Sequence, residues 1–355
     1  MQKIWKIAAW IGGGYAVIVL AITVYLGYTR PVMIVGASSH PEMELAEKGQ
    51  KKEPAVEHSD SVNQTEMLLQ YDQTEKRSIY IPVEASILPE QIQVQDFYAD
   101  KCLMISLQHE NQGYYKDKAI SGKTDIIENA FWVSQEGKTE IVIQLCSVYT
   151  YDSYLENGIL KIDLFETNEK HDRTVILDVI VPENKQVEEA LLYQMEQKLE
   201  AALEKNGIKA YHTYGKEGRI PEKQIGEMVS LTGADFYVGL SFARDEQHAD
   251  SFGSYVAYKG DYYIPQLTNS MFADCIEKQM VTSIQGKANG LEKSEEKVLE
   301  EIFVPAVIVY PGYATNETEL SMMKQDSYQN RIAEGITAGI MDAYQKAEEG
   351  KGNIE

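Results

Sequence analysis

The sequence predicts an α/β protein with a mostly parallel sheet flanked by helices, preceded by a small all-β domain and one N-terminal transmembrane helix. Three patterns predict this architecture. From residue 174 onward, apolar strand-like runs alternate with helical stripes, which is typical of a parallel sheet with right-handed crossovers. Between residues 78 and 166, apolar and polar residues alternate singly, as in strands with one buried face. Residues 7–28 carry no charge and are numerous enough to span a bilayer.

The uncharged run at residues 7–28 is interpreted as an uncleaved signal anchor. Its 22 residues would form a helix of about 33 Å. Lys3 and Lys6 precede the run, so the positive-inside rule predicts a cytoplasmic N-terminus with the bulk of the chain extracytoplasmic. A cleaved signal peptide is the alternative, although no clear small-x-small cleavage site follows. We therefore assign residues 1–30 to the cytoplasmic tip and anchor of a single-pass membrane protein.

Residues 31–77 are predicted to be a flexible linker. Glu, Lys, Gln, Ser and Asp dominate this stretch, and aromatic residues are few. Such a composition buries too little apolar surface to offset the entropy lost on ordering. The linker would separate the anchor from the folded part of the chain.

Residues 78–168 are predicted to form the small β domain. Its clearest strands alternate apolar with polar positions, and glycine-containing turns follow them. The alternating apolar positions are Leu103, Ile105 and Leu107, then Ile141, Ile143 and Leu145, then Leu160, Ile162 and Leu164. No catalytic constellation occurs in this segment.

Residues 174–348 are predicted to form the α/β domain. Buried strands are expected at residues 174–181, 208–214, 234–242 and 306–309, and a hairpin at 255–264. Helices are expected between them, including one from about Pro221 to Leu231 and a last one that begins at Asp326. The last helix is indicated by four apolar side chains spaced four apart, namely Tyr328, Ile332, Ile336 and Ile340.

Composition excludes several classes of function. The formal net charge is −22, whereas nucleic-acid binding requires a basic face. The same charge argues against lying flat on an anionic membrane surface. The three cysteines, Cys102, Cys146 and Cys275, form no CxxC motif, so neither a zinc ribbon nor a redox motif is indicated.

The C-terminal motifs resemble those of a known family. The chain reads Pro-Ala-Val-Ile-Val at residues 305–309, Gly-Tyr at 312–313, Thr-Asn at 315–316, and Tyr-Gln at 328–329, with Glu319 between the last two. Residues 234–240 read Ala-Asp-Phe-Tyr-Val-Gly-Leu. This series resembles the zinc-dependent N-acetylmuramoyl-L-alanine amidases, which cut glycan from peptide in the bacterial cell wall. The middle domain is weakly similar to the β-sandwich targeting domains of such amidases, and a plain spacer domain is the alternative.

The resemblance also shows where this chain departs from the family pattern. Leu177 and Asp178 match, but the Pro-Gly-His-Gly-Gly loop that carries the first zinc histidine is absent. The second zinc ligand falls on Asn184, or on Glu183 after a shift of one residue. The third ligand falls on Ser241.

The family's catalytic glutamate falls on Tyr310. No other catalytic or metal-binding residue is assigned by the sequence. His248, in a polar loop after the strand at 234–242, is the one outside candidate for a rebuilt zinc ligand, together with Glu183 and an acidic neighbour.

These departures predict a catalytically inactive, membrane-anchored, extracytoplasmic member of the amidase family. Such a protein would act by binding peptidoglycan or another protein of the cell envelope, and no cofactor is expected. The alternative is an active N-acetylmuramoyl-L-alanine amidase with a rebuilt zinc site. The partner, the growth stage and the oligomeric state are left open by the sequence.

Overall fold

The structure is a computed structural model that describes part of the chain. The described residues are 32–34, 37–38, 64–71, 77–108, 113–123, 125–135, 137–181, 186–215, 218–260, 263–264 and 267–351. The predicted membrane span at residues 7–28 lies outside them, as do Glu183 and Asn184. Among the described residues, no helix combines the length and the apolar character needed to cross a membrane.

The N-terminal folded unit is a β-sandwich. In chain order its described strands are β1 (Val32–Ile34), β2 (Ala37–Ser38), β3 (Thr65–Glu66), β4 (Leu68–Tyr71), β5 (Ser78–Pro82), β6 (Ile92–Phe97), β7 (Cys102–Gln108), β8 (Ala119–Gly122), β9 (Ile127–Gln135), β10 (Lys138–Leu145), β11 (Thr150–Glu156) and β12 (Ile159–Phe165). In the described part, one sheet has the order β1-β11-β12-β5-β8-β4 and the other the order β2-β6-β7-β10-β9-β3.

The sandwich core consists of the alternating apolar side chains that the sequence singled out. Ile105 faces Ile141 across the antiparallel pair of β7 and β10, and both are fully buried. Leu160 and Ile162 of the other sheet are fully buried in the same cluster. The prediction of a small all-β segment is therefore confirmed in its secondary structure.

The predicted linker at residues 31–77 is wrong where the structure describes it. Residues 32–34 pair antiparallel with β11, and residues 37–38 pair in parallel with β6. Residues 65–66 and 68–71 add edge strands to the two sheets. Met67 is buried between these last two strands. Composition could not reveal these strands, because each is short and takes its stability from a partner strand far along the chain.

The C-terminal unit is a three-layer α/β domain. Its described elements are α1 (Thr167–Lys170), β13 (Thr174–Val179), α2 (Gln186–Lys205), β14 (Lys209–His212), β15 (Tyr214–Gly215), β16 (Gly218–Arg219), α3 (Glu222–Thr232), β17 (Phe236–Leu240), β18 (Ser254–Tyr258), β19 (Tyr263–Ile264), β20 (Leu267–Thr268), α4 (Asn269–Ile284), β21 (Ala288–Lys293), α5 (Lys297–Glu301), β22 (Ala306–Tyr310), α6 (Glu317–Met323) and α7 (Asp326–Lys351).

The main sheet of this unit is mixed. In the described part its order is β14-β13-β17-β22-β18-β21. Neighbouring strands are parallel except β18 and β22, which run antiparallel. The expected hairpin at 255–264 is wrong, because Ser254–Tyr258 pairs with β21 and β22 instead of with β19. The long-range pairing buries Val256 and Ala257, which a two-stranded hairpin would leave exposed.

Helices cover both faces of the sheet. Helices α2, α4 and α7 pack on one face, where Val175 and Leu177 of β13 contribute to the apolar cluster. Helices α3 and α5 pack on the other face around Ile176. Val187 lies in the first turn of α2 and is 56% exposed.

The β-sandwich packs against the second face of the sheet. Tyr98 of the sandwich and Tyr211 of β14 meet edge to face, with ring centroids 4.7 Å apart. The hydroxyls of Thr167 and Tyr211 share a hydrogen bond of 2.9 Å. Lys101 forms an ion pair of 2.7 Å with Glu227 on α3. The two units therefore share an interface that combines aromatic packing with polar contacts.

A buried ion triad ties α2 to the edge strand β14. His212 is 4% exposed, with Nδ1 3.3 Å from Glu196 Oε1 and Nε2 2.9 Å from Glu200 Oε1. Burial alone would lower the pKa of His212, but the charges of Glu196 and Glu200 and hydrogen bonds to them outweigh it and raise the pKa to about 10. Both ring nitrogens face carboxylates, so the triad stabilises the packing of α2 and is not arranged around a common metal position.

This triad predicts a pH dependence of stability. The folded pKa of His212 lies above its unfolded value of 6.5, so its stabilisation is complete below that pH and disappears as the pH rises toward about 10. Between about pH 6.5 and pH 9, the free energy of unfolding should fall by up to about 1.4 kcal/mol per pH unit. Urea denaturation followed by tyrosine near-UV circular dichroism checks this. The His212→Gln variant should lack that slope, and an equal slope in both proteins would contradict the prediction.

Candidate functional site

The candidate site lies where the parallel strands β13, β17 and β22 end. In open α/β sheets ligands bind outside the carboxyl ends of the strands, where loops bring side chains together. Asp178, Ser241 and Tyr310 all lie at or next to this edge. The antiparallel strand β18 begins at the same edge, and its Tyr255 is paired in register with Tyr310.

Asp178 is held in a closed polar network below the edge. Its carboxylate is fully buried and accepts hydrogen bonds from Thr213 Oγ1 (2.5 Å to Oδ1) and from the hydroxyl of Tyr237. The guanidinium of Arg219 binds it in a bidentate manner, through Nε to Oδ1 at 2.8 Å and Nη2 to Oδ2 at 2.7 Å. Burial and the adjacent carboxylate raise the pKa of Tyr237 well above its ordinary value, so this hydroxyl stays protonated and donates.

Arg219 is a residue that the sequence reasoning missed. It reaches Asp178 because the chain turns back after β14 through the short pair β15 and β16, where Tyr214 lies opposite Arg219. The local sequence gives little sign of this role, because it shows only an arginine after Gly218. Its partner Asp178 lies 41 residues earlier in the chain. The network uses both carboxylate oxygens, so Asp178 acts here as a structural anchor.

Ser241 follows β17 and is buried. Its hydroxyl donates to the backbone carbonyl of Ile180 at 2.8 Å, and its amide donates to the carbonyl of Val309 at 3.1 Å. Its side chain therefore links the loop after β13 to the end of β17. Serine hydroxyls are not among the common ligands of zinc in proteins.

Tyr310 takes part in an aromatic cluster at the end of β22. Its ring stacks on that of Tyr255, with centroids 4.4 Å apart and planes 12° apart. Tyr313 lies beside Tyr255, with centroids 6.5 Å apart. Burial, and then the charges of Glu296 and Glu292, raise the pKa of Tyr310 to about 12. We call the set Tyr255, Tyr310 and Tyr313 the tyrosine cluster; its three rings are each half-buried, which leaves part of them accessible.

The loops around the tyrosine cluster are fastened by one buried carboxylate. Glu319 Oε1 accepts from the amide of Gly253 at 2.8 Å, and Oε2 accepts from the amide of Tyr313 at 2.7 Å. Asn316 caps α6 and donates from its side chain to the carbonyl of Ser251 at 3.2 Å. Glu319 thereby positions the loop before Tyr255 and the loop that carries Tyr313.

Replacing Glu319 with glutamine should loosen both loops. An amide has one acceptor oxygen, so its NH₂ group would face a backbone N–H and leave it without an acceptor. The expected loss of stability is about 1–3 kcal/mol, seen as faster hydrogen exchange of the amides of Gly253 and Tyr313. Glu317→Gln is the matched control, because Glu317 lies in the same first turn of α6 but is exposed. Equal exchange rates in the two variants would refute the role of Glu319.

His248 does not lie with the other candidate residues. Its side chain is 69% exposed, and its Nδ1 lies 3.2 Å from Asp245 Oδ2. Asp245 also accepts from the amides of Gln247 and His248 and from the hydroxyl of Ser251. This ring of hydrogen bonds shapes the loop after β17, and His248 lies on its solvent side.

The described residues do not fit a zinc site of the usual kind. A catalytic zinc takes three nitrogen, oxygen or sulfur ligands from the protein and keeps one position open. Among the described residues, no group of three or more His, Cys, Asp or Glu side chains is placed to hold a metal ion. Asp178 is bound to Arg219, and the hydroxyl of Ser241 is bound to a carbonyl. Glu183 and Asn184, the other predicted positions, lie outside the described residues.

Comparison with known proteins agrees with this fold. Residues 176–342 match the family model described as N-acetylmuramoyl-L-alanine amidase. The three-layer C-terminal unit is thus an amidase-like α/β domain. The predicted resemblance of this domain to the N-acetylmuramoyl-L-alanine amidase family is thereby confirmed.

Individual relatives are distant. An uncharacterized cell wall amidase of Bacillus anthracis is 24% identical over 144 residues, which make up 37% of this chain and 26% of that protein. The uncharacterized protein YqiI of Bacillus subtilis is 28% identical over 116 residues, 32% of this chain and 53% of that protein. The chain thus spans about a quarter and about half of these relatives. Among solved structures, an N-acetylmuramoyl-L-alanine amidase from Clostridium difficile 630 has a TM-score of 0.44 and 20% identity, covering 49% of this chain and 97% of that chain.

Proposed function

We propose that the protein binds peptidoglycan through its amidase-family domain without hydrolysing it. The observation that carries this proposal is the tyrosine cluster, in which Tyr310 stands at the position that the family resemblance gives to the catalytic glutamate. A phenol whose pKa is raised to about 12 stays protonated at neutral pH and cannot act there as a general base. The stacked ring of Tyr255 holds that phenol in place.

The chemistry of the tyrosine cluster suits a glycan. Aromatic rings present an apolar face, while their hydroxyls offer a polar tip, and sugar rings have matching apolar faces and hydroxyl edges. The charges of Glu292 and Glu296 add to burial in raising the pKa of Tyr255 and of Tyr310, and carboxylates accept hydrogen bonds from hydroxyls such as those of sugars. The glycan strand of peptidoglycan matches the chemistry of this surface, and the amidase family acts on peptidoglycan.

We also propose that the protein is anchored in the membrane and faces the cell envelope. Residues 7–28 would anchor it in the membrane, with the sandwich and the amidase-family domain on the extracytoplasmic side. A similar cell wall amidase from Bacillus anthracis supports a role at the cell wall. Peptidoglycan or a protein partner of the cell envelope would then be within reach of the anchored domain.

Two measurements on the full chain, extracted in detergent, test the proposal. The first compares bound zinc per chain with the release of stem peptide from purified peptidoglycan. We expect peptidoglycan binding without peptide release. Zinc near one equivalent together with peptide release would overturn the proposal and establish an active amidase with a rebuilt metal site.

The second measurement locates the binding surface. Tyr255→Ala should weaken sedimentation with peptidoglycan about tenfold, which corresponds to about 1.4 kcal/mol. Phe303→Ala is the matched control, because Phe303 is a 70% exposed aromatic residue just before β22, at the opposite edge of the sheet. A Tyr255→Ala protein that binds as well as the control would exclude the tyrosine cluster as the binding surface.

A further inference from the structure

A cavity of about 480 Å³ lies between the β-sandwich and the amidase-family domain. Tyr98 and Tyr151 of the sandwich line one side, and Lys170, His171 and Lys209 line the other. We call it the interdomain cleft. Lys209 begins β14, which runs parallel to β13, so the cleft lies at the amino-terminal edge of the sheet, away from the tyrosine cluster. Its volume falls within the range of about 300–1,000 Å³ that is usual for small-molecule sites.

The ammonium group of Lys209 is held in place by aromatic rings. Its Nζ lies 4.9 Å from the ring centroid of Tyr98 and 5.2 Å from that of Tyr211. Those two rings pack edge to face, so the lysine rests on a rigid aromatic support. Within the described ranges, Lys209 forms no ion pair with a carboxylate.

Asp96 is a buried carboxyl group whose charge interacts with that of Lys209. Asp96 is 4% exposed, and burial raises its pKa well above the usual range, although the charge of Lys209 opposes the shift. Burial therefore disfavours the charged form of Asp96. The ammonium group of Lys209 thus rests on two rings at the wall of the cleft, where an anionic ligand can reach it.

The charged side chains that line the cleft are two lysines, Lys170 and Lys209, and two carboxylates, Asp152 and Glu204. Lys170 is paired with Asp152 at 2.5 Å, so these two charges offset each other. Burial, followed by the charges of Lys209 and Lys170, lowers the pKa of His171, and the charge of Asp172 opposes this shift. Glu204 also lines the cleft, but it belongs to the exposed last turn of α2.

A second cavity continues this region along the amino-terminal edge. It has a volume of about 960 Å³ and shares Lys170, His171 and Gly207 with the interdomain cleft. It adds Arg173, which pairs with Glu348 at 2.8 Å and stacks over Tyr344. A ligand anchored in the cleft would therefore have room to extend beyond it.

We propose that the interdomain cleft binds a small oxyanion-bearing ligand, a carboxylate or a phosphate ester, with Lys209 as its charge partner and Tyr98 and Tyr151 flanking it. The site is independent of the tyrosine cluster and of the proposed peptidoglycan binding. In a chain with a net charge of −22, this fixed cation gives an anion a specific place to bind. A bound anion would also contact both domains and stabilise their interface.

The test is a calorimetric titration of the full chain at constant ionic strength, with inorganic phosphate in one arm and N-acetylglycine in the other. We expect saturable binding of one equivalent in at least one arm. Preference for phosphate would indicate a phosphate ester as the ligand, and preference for N-acetylglycine a carboxylate. Lys209→Met should weaken the binding at least about fivefold, or about 1 kcal/mol.

Two further variants decide the outcome. Lys324→Met removes the same charge from the exposed end of α6 and should leave the affinity unchanged. His171→Glu places a negative charge in the cleft while Lys209 stays in place, and it should also weaken binding. This variant decides the question if Lys209→Met does not fold. Absence of saturable binding in both arms, or equal affinity in wild type and His171→Glu, would overturn the proposal.

Discussion

Replacing Arg219 with methionine should lower the free energy of unfolding of the amidase-family domain by about 3–5 kcal/mol. The substitution leaves the carboxylate of Asp178 fully buried without its bidentate cation. Thr213 and Tyr237 still donate hydrogen bonds, but they carry no charge to offset the desolvated carboxylate. The effect therefore comes from an uncompensated buried charge.

The double variant Arg219→Met with Asp178→Asn should recover part of this loss, because the buried group is then neutral. Arg173→Met is the matched control, since its ion pair with Glu348 is partly exposed and should contribute about 1 kcal/mol or less. Hydrogen exchange of the β13 and β17 amides measures the change in this domain. Tryptophan fluorescence would not measure this change, because Trp132 is the only tryptophan among the described residues and it lies in the sandwich. A loss as small as that of the control would contradict the prediction.

Replacing Gly339 with alanine should destabilise the same domain by about 3 kcal/mol. Helices α4 and α7 approach so closely that a Cβ at Gly339 would lie 2.4 Å from Ile276 Cα and 2.8 Å from the carbonyl oxygen of Cys275. Both are backbone atoms, which cannot rotate away as a side chain can. Gly335, one turn earlier, meets Met280 Cα in the same way, at 2.6 Å.

Gly335→Ala should therefore have a similar effect, while Glu334→Ala on the exposed side of α7 should change stability by less than about 0.5 kcal/mol. The helix propensity of alanine exceeds that of glycine by about 1 kcal/mol, so a loss measured at Gly339 understates the clash. Urea denaturation monitored by tyrosine near-UV circular dichroism measures all three variants. A Gly339→Ala protein as stable as wild type would mean that α4 and α7 separate readily.

Local patterns predicted many elements of the fold correctly. The helix expected from Pro221 to Leu231 is α3, Glu222–Thr232, which follows Pro221 and ends at Gly233 in a left-handed conformation. The buried strand expected at 174–181 is β13, Thr174–Val179. Helix periodicity and continuous apolar runs are properties of neighbouring residues, so they can be recognised without knowledge of the fold.

Strands that pair with partners far along the chain were not predicted correctly. The stretch 255–264 was expected to be a hairpin, whereas Ser254–Tyr258 pairs with Ala306–Tyr310, about fifty residues further along. In the same way, parts of the predicted linker add strands to the sandwich. A short strand acquires its stability from its partner, and the partner cannot be identified from the local sequence.

The sequence by itself predicted the α/β class and the resemblance to the amidase family, and that resemblance singled out Asp178, Ser241 and Tyr310. Only the tertiary structure decided what these residues touch: Arg219 returns to Asp178, Tyr255 stacks on Tyr310, and Lys209 lies over rings from both domains. The physical reason is that helix and strand formation depends on residues close in the chain. The electrostatics of a site depends on side chains that only folding brings together.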